Sequence, residues 1–330
     1  MKEEEIRPKE LMINHKNIIE EDINYLLERK NEFVKVSCPS CESENNTEYL
    51  EKNKFNYTKC RECDTIFMNP RPNKKLLSDF YRISKNYEYW DKVIFPASES
   101  ARREKIFKPR VEKIIKICEK HNTKRNAIMD VGAGFGTFCE EIKKTNFFNK
   151  VIAIEPTPDL AKTCRKRGLE VIEEPIEKIK LEEKMDVITS FEVIEHLFSP
   201  KEFLIGCKNN LSNNGIIVIT CPNAKGFDVS LLKEKSDTID HEHLNYFNLD
   251  SLSKLLSSCG FEIIEKLTPG KLDAELVRKN IMNNRFDVSN QPFLKEVLID
   301  KWDELGEKFQ KFISENLLSS HMWIIAKNKD

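Results

Sequence analysis

The chain has 330 residues, enough for one large or two ordinary domains with a sizeable core. Its 54 basic and 55 acidic side chains leave a formal net charge of -1, which argues against a surface dedicated to nucleic acid or to a membrane, where a basic excess is usual. No uninterrupted apolar run approaches the roughly 20 residues of a membrane helix, and "MKEEEIRPKE" holds no apolar core, so a cytoplasmic chain without a secretory leader is expected, its ten cysteines being reduced thiols or metal ligands.

Residues 1–36 are charged, with one short amphipathic helix pattern at Ile18, Ile19, Ile23, Leu26 and Leu27 that reads as a surface helix extension. Residues 37–72 hold two Cys pairs and close on "NPRP", whose two prolines are expected to stop any regular element and mark a domain edge. Residues 73–121 read as a helical lid or linker. They begin with the aromatic stretch "LLSDFYRISKNYEYW" and continue in "KIFKPRVEKIIKICEKH", where Phe107, Val111, Ile114, Ile115 and Cys118 share a face.

From residue 122 to 330 the pattern alternates. Strand candidates are 127–131, 151–155, a short one near 171, 186–191, 216–221, 261–267 and 322–327. Helix-length segments separate the first five, so the fold class is α/β, a Rossmann-like parallel sheet with helices on both faces. A helical insertion over about 271–320 interrupts the last two strands. It carries Leu298, Trp302, Leu305, Phe309, Phe312 and Asn316 at alternating steps of four and three, a seam that fits packing on its own domain or a subunit contact equally well. The chain is expected to be a monomer or a homodimer.

The turn "AIMDVGAGFGTF" decides the ligand class. A dinucleotide fingerprint is G-x-G-x-x-G, but Gly132, Gly134 and Gly136 give G-x-G-x-G, with Ala133 between the first two and Asp130 ending the strand. A pyrophosphate wants bare N–H groups at a helix N-terminus; an acid there suits a ligand bearing positive charge. From about residue 105 to the end the chain resembles the class I SAM-dependent methyltransferases. "MDVGAGFG" matches their first motif, and "FEVIEHLFSP", which begins at Phe191, their segment after the fourth strand. The resemblance implies that S-adenosyl-L-methionine (SAM) lies on Asp130, Gly132, Ala133, Gly134, Gly136 and Phe191, with Glu155 holding both ribose hydroxyls, as a carboxylate can. It also places Glu177 near adenine, although solvated charge is the commoner reading of such a residue.

Cys38, Cys41, Cys60 and Cys63 give C-x2-C-x18-C-x2-C, a zinc-ribbon spacing. Four cysteines fill the tetrahedron of a structural Zn2+ and leave no open position. The other six cysteines read as small core residues. With "F-x-NPRP" and the tyrosines that follow, the ribbon resembles the start of the deoxysugar C-methyltransferases and surface-polysaccharide methyltransferases. That resemblance implies a small-molecule acceptor, most simply a nucleotide-linked sugar, with Tyr87 and Tyr89 over it. The rival reading is a ribbon that presents RNA. The ribbon loop "ESENNTEYLEKNKFNYTK" has acids and bases that roughly cancel, so a nucleic-acid partner is not expected.

Methyl transfer needs an aligned acceptor and a base for its proton, and histidine suits that role. His196 follows the fourth strand; His241 and His243 follow the fifth in "DHEHLNYF". All three are expected at the carboxyl edge of the sheet, where ligands bind. The relatives carry an E-H pair at Glu242-His243 and a His at His196, although His196 reads equally as a helix cap.

Overall fold

Residues 3–329 are described by the structure, a computed structural model. In chain order, helix α1 (Lys9–Leu27) precedes three strands, β1 (Asn46–Lys52), β2 (Phe55–Cys60) and β3 (Ile66–Met68). Helices α2 (Lys74–Ile83), α3 (Lys85–Tyr89) and α4 (Lys108–Lys120) follow. The alternating region runs β4 (Ala127–Val131), α5 (Thr137–Lys144), β5 (Lys150–Ile154), α6 (Pro158–Lys166), β6 (Glu170–Ile172), β7 (Met185–Phe191), α7 (Pro200–Asn210) and β8 (Leu211–Pro222). The chain ends in β9 (Asn245–Tyr246), α8 (Leu249–Ser258), β10 (Phe261–Leu267), α9 (Asp273–Met282), α10 (Trp302–Glu315) and β11 (His321–Asn328).

All seven strand candidates of the alternating region enter one sheet, in the order β10-β11-β8-β7-β4-β5-β6. The five strands from β8 to β6, whose candidates helix-length segments separate, pair in parallel as expected; the seven-stranded sheet as a whole is mixed. All five residues of β4 are buried, since a parallel strand is covered on both faces. From β4 the chain moves outward through β5 and β6, then returns to β7 and β8 on the other side. The carboxyl end of β4 is therefore a topological switch point.

The chain divides into two compact units. One comprises residues 97–220, 253–265 and the chain from 324 onward, and contains most of the sheet. The other gathers three distant stretches: the segment ending at Pro96, Cys221–Leu252 and Lys266–Trp323. It holds a four-stranded sheet in the order β9-β3-β2-β1. Strands β1 and β2 are joined by Asn53 and Lys54, both with positive φ, as a tight two-residue hairpin demands.

Three expectations change. "NPRP" does not stop regular structure: Val34 and Phe33 pair with Arg71 and Pro72, because a short edge pairing tolerates a residue with no N–H. Helix α1 is no simple surface helix, since it buries His15 and Asp22 beside Leu26. In the insertion, Leu298, Trp302, Leu305 and Phe309 do pack together, against Leu232, Ala274, Val277 and Val297 of the same unit. The stripe then passes to buried Ile313, and Phe312 is 54% exposed. Positions 302, 305, 309 and 313 follow a helix of 3.6 residues per turn, whereas a strict heptad drifts off the buried face.

Ile313→Ala should therefore cost about 2–5 kcal/mol and Phe312→Ala less than about 0.5 kcal/mol, measured by denaturant unfolding. Equal losses would contradict this packing.

Candidate active site

In the first unit, Gly132, Gly134 and Gly136 all have positive φ, +81, +56 and +71, conformations that L side chains rarely adopt. Gly132 and Ala133 donate their N–H groups to the Ile154 carbonyl, which ties the turn to β5. A Cβ on Gly132 would lie 2.5 Å from Val193, and one on Gly136 2.6 Å from Leu169, but nothing stands within 4 Å of one on Gly134. Two glycines thus allow packing, and the middle one leaves a cradle open to a ligand.

Glu155, at the end of β5, is buried. Its two oxygens accept from Gly134 N–H at 2.8 Å and Thr157 N–H at 2.9 Å. A carboxylate has about four acceptor positions, so two remain for a diol. Burial raises its carboxyl above the usual range. Asp130 accepts from the Thr189 hydroxyl at 2.7 Å, and burial pushes its carboxyl up to about 7. A cation nearby would favour its ionised form. Phe191 ends β7 edge-on to Phe138 at 4.8 Å. The Arg110 guanidinium of α4 lies 4.7 Å from the Phe191 ring centre, attracted by Glu192, Asp130 and Glu195.

In the second unit, the loop after β8 is bolted to the four-stranded sheet. Tyr57 donates its hydroxyl to the Asp240 carbonyl at 2.6 Å, and Lys52 its ammonium to the Ser236 carbonyl at 2.6 Å. β9 pairs with β3, Asn245 opposite Phe67, and buried Arg71 donates to Asn245 Oδ1 at 3.0 Å. Asp240 Oδ1 accepts from the N–H groups of Glu242 and His243, each at 2.9 Å, which sets the turn carrying both side chains. His243 Nδ1 lies 3.0 Å from the Thr238 carbonyl. A carbonyl only accepts, so Nδ1 carries the proton and Nε2 is left as the ring's basic nitrogen. Glu242 accepts from Asn86 Nδ2. Burial, with Asp240 and then Asp22 adding, pushes its carboxyl up to about 8. His241 is buried, neither ring nitrogen has a hydrogen bond, and Nε2 stands 3.8 Å from Glu242 Oε1. Its burial lowers the imidazole below the usual range.

The four ribbon cysteines place their sulfurs within 4.8 Å of one another. Cys38 and Cys63 are 3.5 Å apart, and Cys41 and Cys60 3.6 Å. A disulfide would be about 2.05 Å, whereas tetrahedral thiolates at about 2.3 Å from Zn2+ stand about 3.8 Å apart. The donor set and spacing fit a zinc ion. The other six cysteines are buried in the core.

A methyltransferase-domain family matches residues 100–266, just over half of the chain. The chain belongs to that family. Its matched region is a SAM-dependent methyltransferase domain. A ubiquinone biosynthesis O-methyltransferase of Rickettsia prowazekii is 30% identical over 159 residues, 46% of this chain and 60% of that protein. A C-methyltransferase of Streptomyces niveus is 26% identical over 164 residues, 47% of this chain and 38% of that protein. A probable S-adenosylmethionine-dependent methyltransferase of Mycobacterium tuberculosis is 26% identical over 137 residues, 41% of this chain and 48% of that one. The match to each relative thus spans less than two thirds of its length.

The remaining candidates fall in several places. Glu177 is exposed on a short turn, Ile176–Lys178. His196 is half-buried at the end of the turn Ile194–His196, next to buried Glu195. Tyr89 donates its hydroxyl to the Leu11 carbonyl at 2.9 Å, and Tyr87 packs edge-on to Tyr81 at 5.3 Å. Sequence reasoning passed over Asn86, hidden among aromatic neighbours, and Arg110, a polar position in an apolar helix pattern. Only the partners of these two reveal them.

Gly134→Ala should cost about 1–2 kcal/mol of stability, the penalty of a left-handed residue, yet lower SAM affinity at least tenfold by calorimetry. Unchanged affinity would remove the cradle reading. Elemental analysis should find one zinc per freshly purified chain, and Cys60→Ser should release it and lower the unfolding temperature, because a structural metal contributes folding energy directly. Less than half a zinc per chain would count against this.

Proposed function

We propose that the chain moves the methyl group of SAM to a small polar metabolite, a nucleotide-linked sugar or a related surface-glycan precursor. The observation that carries this reading is how the ribbon sheet is used. Its edge strand β3 pairs with β9, and Tyr57 and Lys52 hold the loop bearing Glu242 and His243. The ribbon is built into the support of a catalytic loop, as a small-molecule pocket needs. The balanced charge of its loop and the likeness to a C-methyltransferase point the same way.

SAM supplies a methyl group on a sulfonium that leaves as a neutral thioether. The glycine turn and Glu155 would hold the nucleoside part, and Arg110 would offer a cation to the methionyl carboxylate. His243 Nε2 takes the acceptor's proton, while Nδ1–H on the Thr238 carbonyl fixes the tautomer. Glu242, whose burial favours the protonated form, donates a hydrogen bond to an acceptor oxygen. The Cys38, Cys41, Cys60 and Cys63 site is closed and its ion structural. Tyr87 and Tyr89 border this acceptor region through α3.

His243→Asn should leave SAM affinity unchanged and cut turnover by roughly a hundredfold or more, the scale of a lost general base. The reaction to follow is methyl transfer from labelled SAM to a panel of nucleotide sugars, with bulk RNA alongside. Label in RNA and in no sugar nucleotide would replace this reading with an RNA methyltransferase that uses its ribbon for recognition.

A further inference from the structure

Helix α1 docks with polar groups where an apolar stripe would suffice. Asp22 is buried and accepts from the Ser84 hydroxyl, from Lys85 N–H at 2.9 Å and from Asn86 N–H at 3.0 Å. It thereby satisfies the first turn of α3, whose N–H groups have no partner within the helix. His15 is buried against the Tyr89 ring, with centres 6.1 Å apart, and edge-on to Trp90. Its Nε2 meets both Trp90 Nε1–H, at 3.2 Å, and the side-chain amide of Asn86. The other end of that amide meets Glu242. Burying a charged carboxyl and an imidazole is costly unless each is paired, so these contacts need a reason beyond packing.

The amide of Asn86 explains them. Where its nitrogen faces Glu242, it donates to an ionised carboxylate and its oxygen faces His15. The indole N–H of Trp90 makes His15 Nε2 an acceptor. The amide satisfies that acceptor by turning its nitrogen to His15 and its oxygen to Glu242, which then has to be protonated to donate. The two orientations of one amide thus correspond to the two states of one carboxyl.

We propose that α1 is part of the acceptor-binding machinery, with His15 and Asp22 as positioning residues that hold the Asn86 amide and, through it, the Glu242 carboxyl. This rests on the reading of Glu242 as the group that binds an acceptor oxygen. The charged and titratable groups around Glu242 are Asp22 on α1, Asp240 and His241 on its own loop, and His15 behind Asn86. Arg7 and Asp22 act on His15.

The test is a carbon-13 titration of the full chain labelled at glutamate carboxyls, with the Glu242 signal assigned by its loss in Glu242→Gln. Wild type should titrate near 8. Asn86→Leu removes the amide from both states of the carboxyl, and because its bond to the ionised form is the stronger one the midpoint should move up by about one pH unit, the scale of one charged hydrogen bond. Asp22→Asn removes a neighbouring negative charge and should move it down. Asn86→Ala serves if the leucine variant does not fold. If α1 only packed, both variants would admit water and both midpoints would fall toward the ordinary carboxylate value. That result, or two unmoved midpoints, overturns the proposal. No acceptor is needed, so failure of the nucleotide-sugar screen would sink the functional reading while leaving this result to stand or fall by itself.

Discussion

Asn245 and Tyr246 pair with Phe67 and Ile66, and the loop carrying Glu242 and His243 depends on that short pairing. It closes the ribbon sheet with a strand from nearly 180 residues later in the sequence. Buried Tyr57 and Tyr246 then take up the polar atoms of Asp240, one hydroxyl donating to its carbonyl and the other accepting its N–H at 2.8 Å. With the backbone of Asp240 held, its carboxylate can order Glu242 and His243. Each step uses a backbone group or hydroxyl that would otherwise be buried without a partner.

The ribbon is too small to be stable through its own core, and chains of that size usually lean on metals or neighbours. Here four cysteines draw in the hairpin knuckles, and Phe67 packs on Cys38 and Cys60. Ser40 donates to the Ser251 carbonyl and Asn248 to the Cys63 carbonyl. The knuckles and the β9–α8 region therefore stabilise each other.

Two buried carboxyls show how one physical effect serves opposite needs. Burial raises both Asp130 and Glu242. Asp130 keeps a hydroxyl donor and a nearby guanidinium, which restrain the rise, against Glu155, which adds to it. Glu242 has negative neighbours that drive it further up, which favours a carboxyl that donates. The difference lies in the surrounding charges, as it does wherever two acids of one protein take different roles.

The sequence alone determined whatever depends on short spacings. Seven strands were legible as apolar runs, the five parallel ones also because helix-length crossovers set them apart, and the glycine turn because positive φ leaves a residue signature. The convergence of Cys38, Cys41, Cys60 and Cys63 was legible because each C-x2-C pair is local. The stripe of α10 was legible except at its end, where the true helical period moved burial from Phe312 to Ile313. Tertiary structure alone decided which distant groups meet. His15, Asn86 and Glu242 come from two of the three separate stretches of chain that make up their unit, and none bears a mark in its neighbourhood of what it touches. A hydrogen bond across 156 residues leaves no periodicity to read, because its partners are chosen by folding and not by spacing.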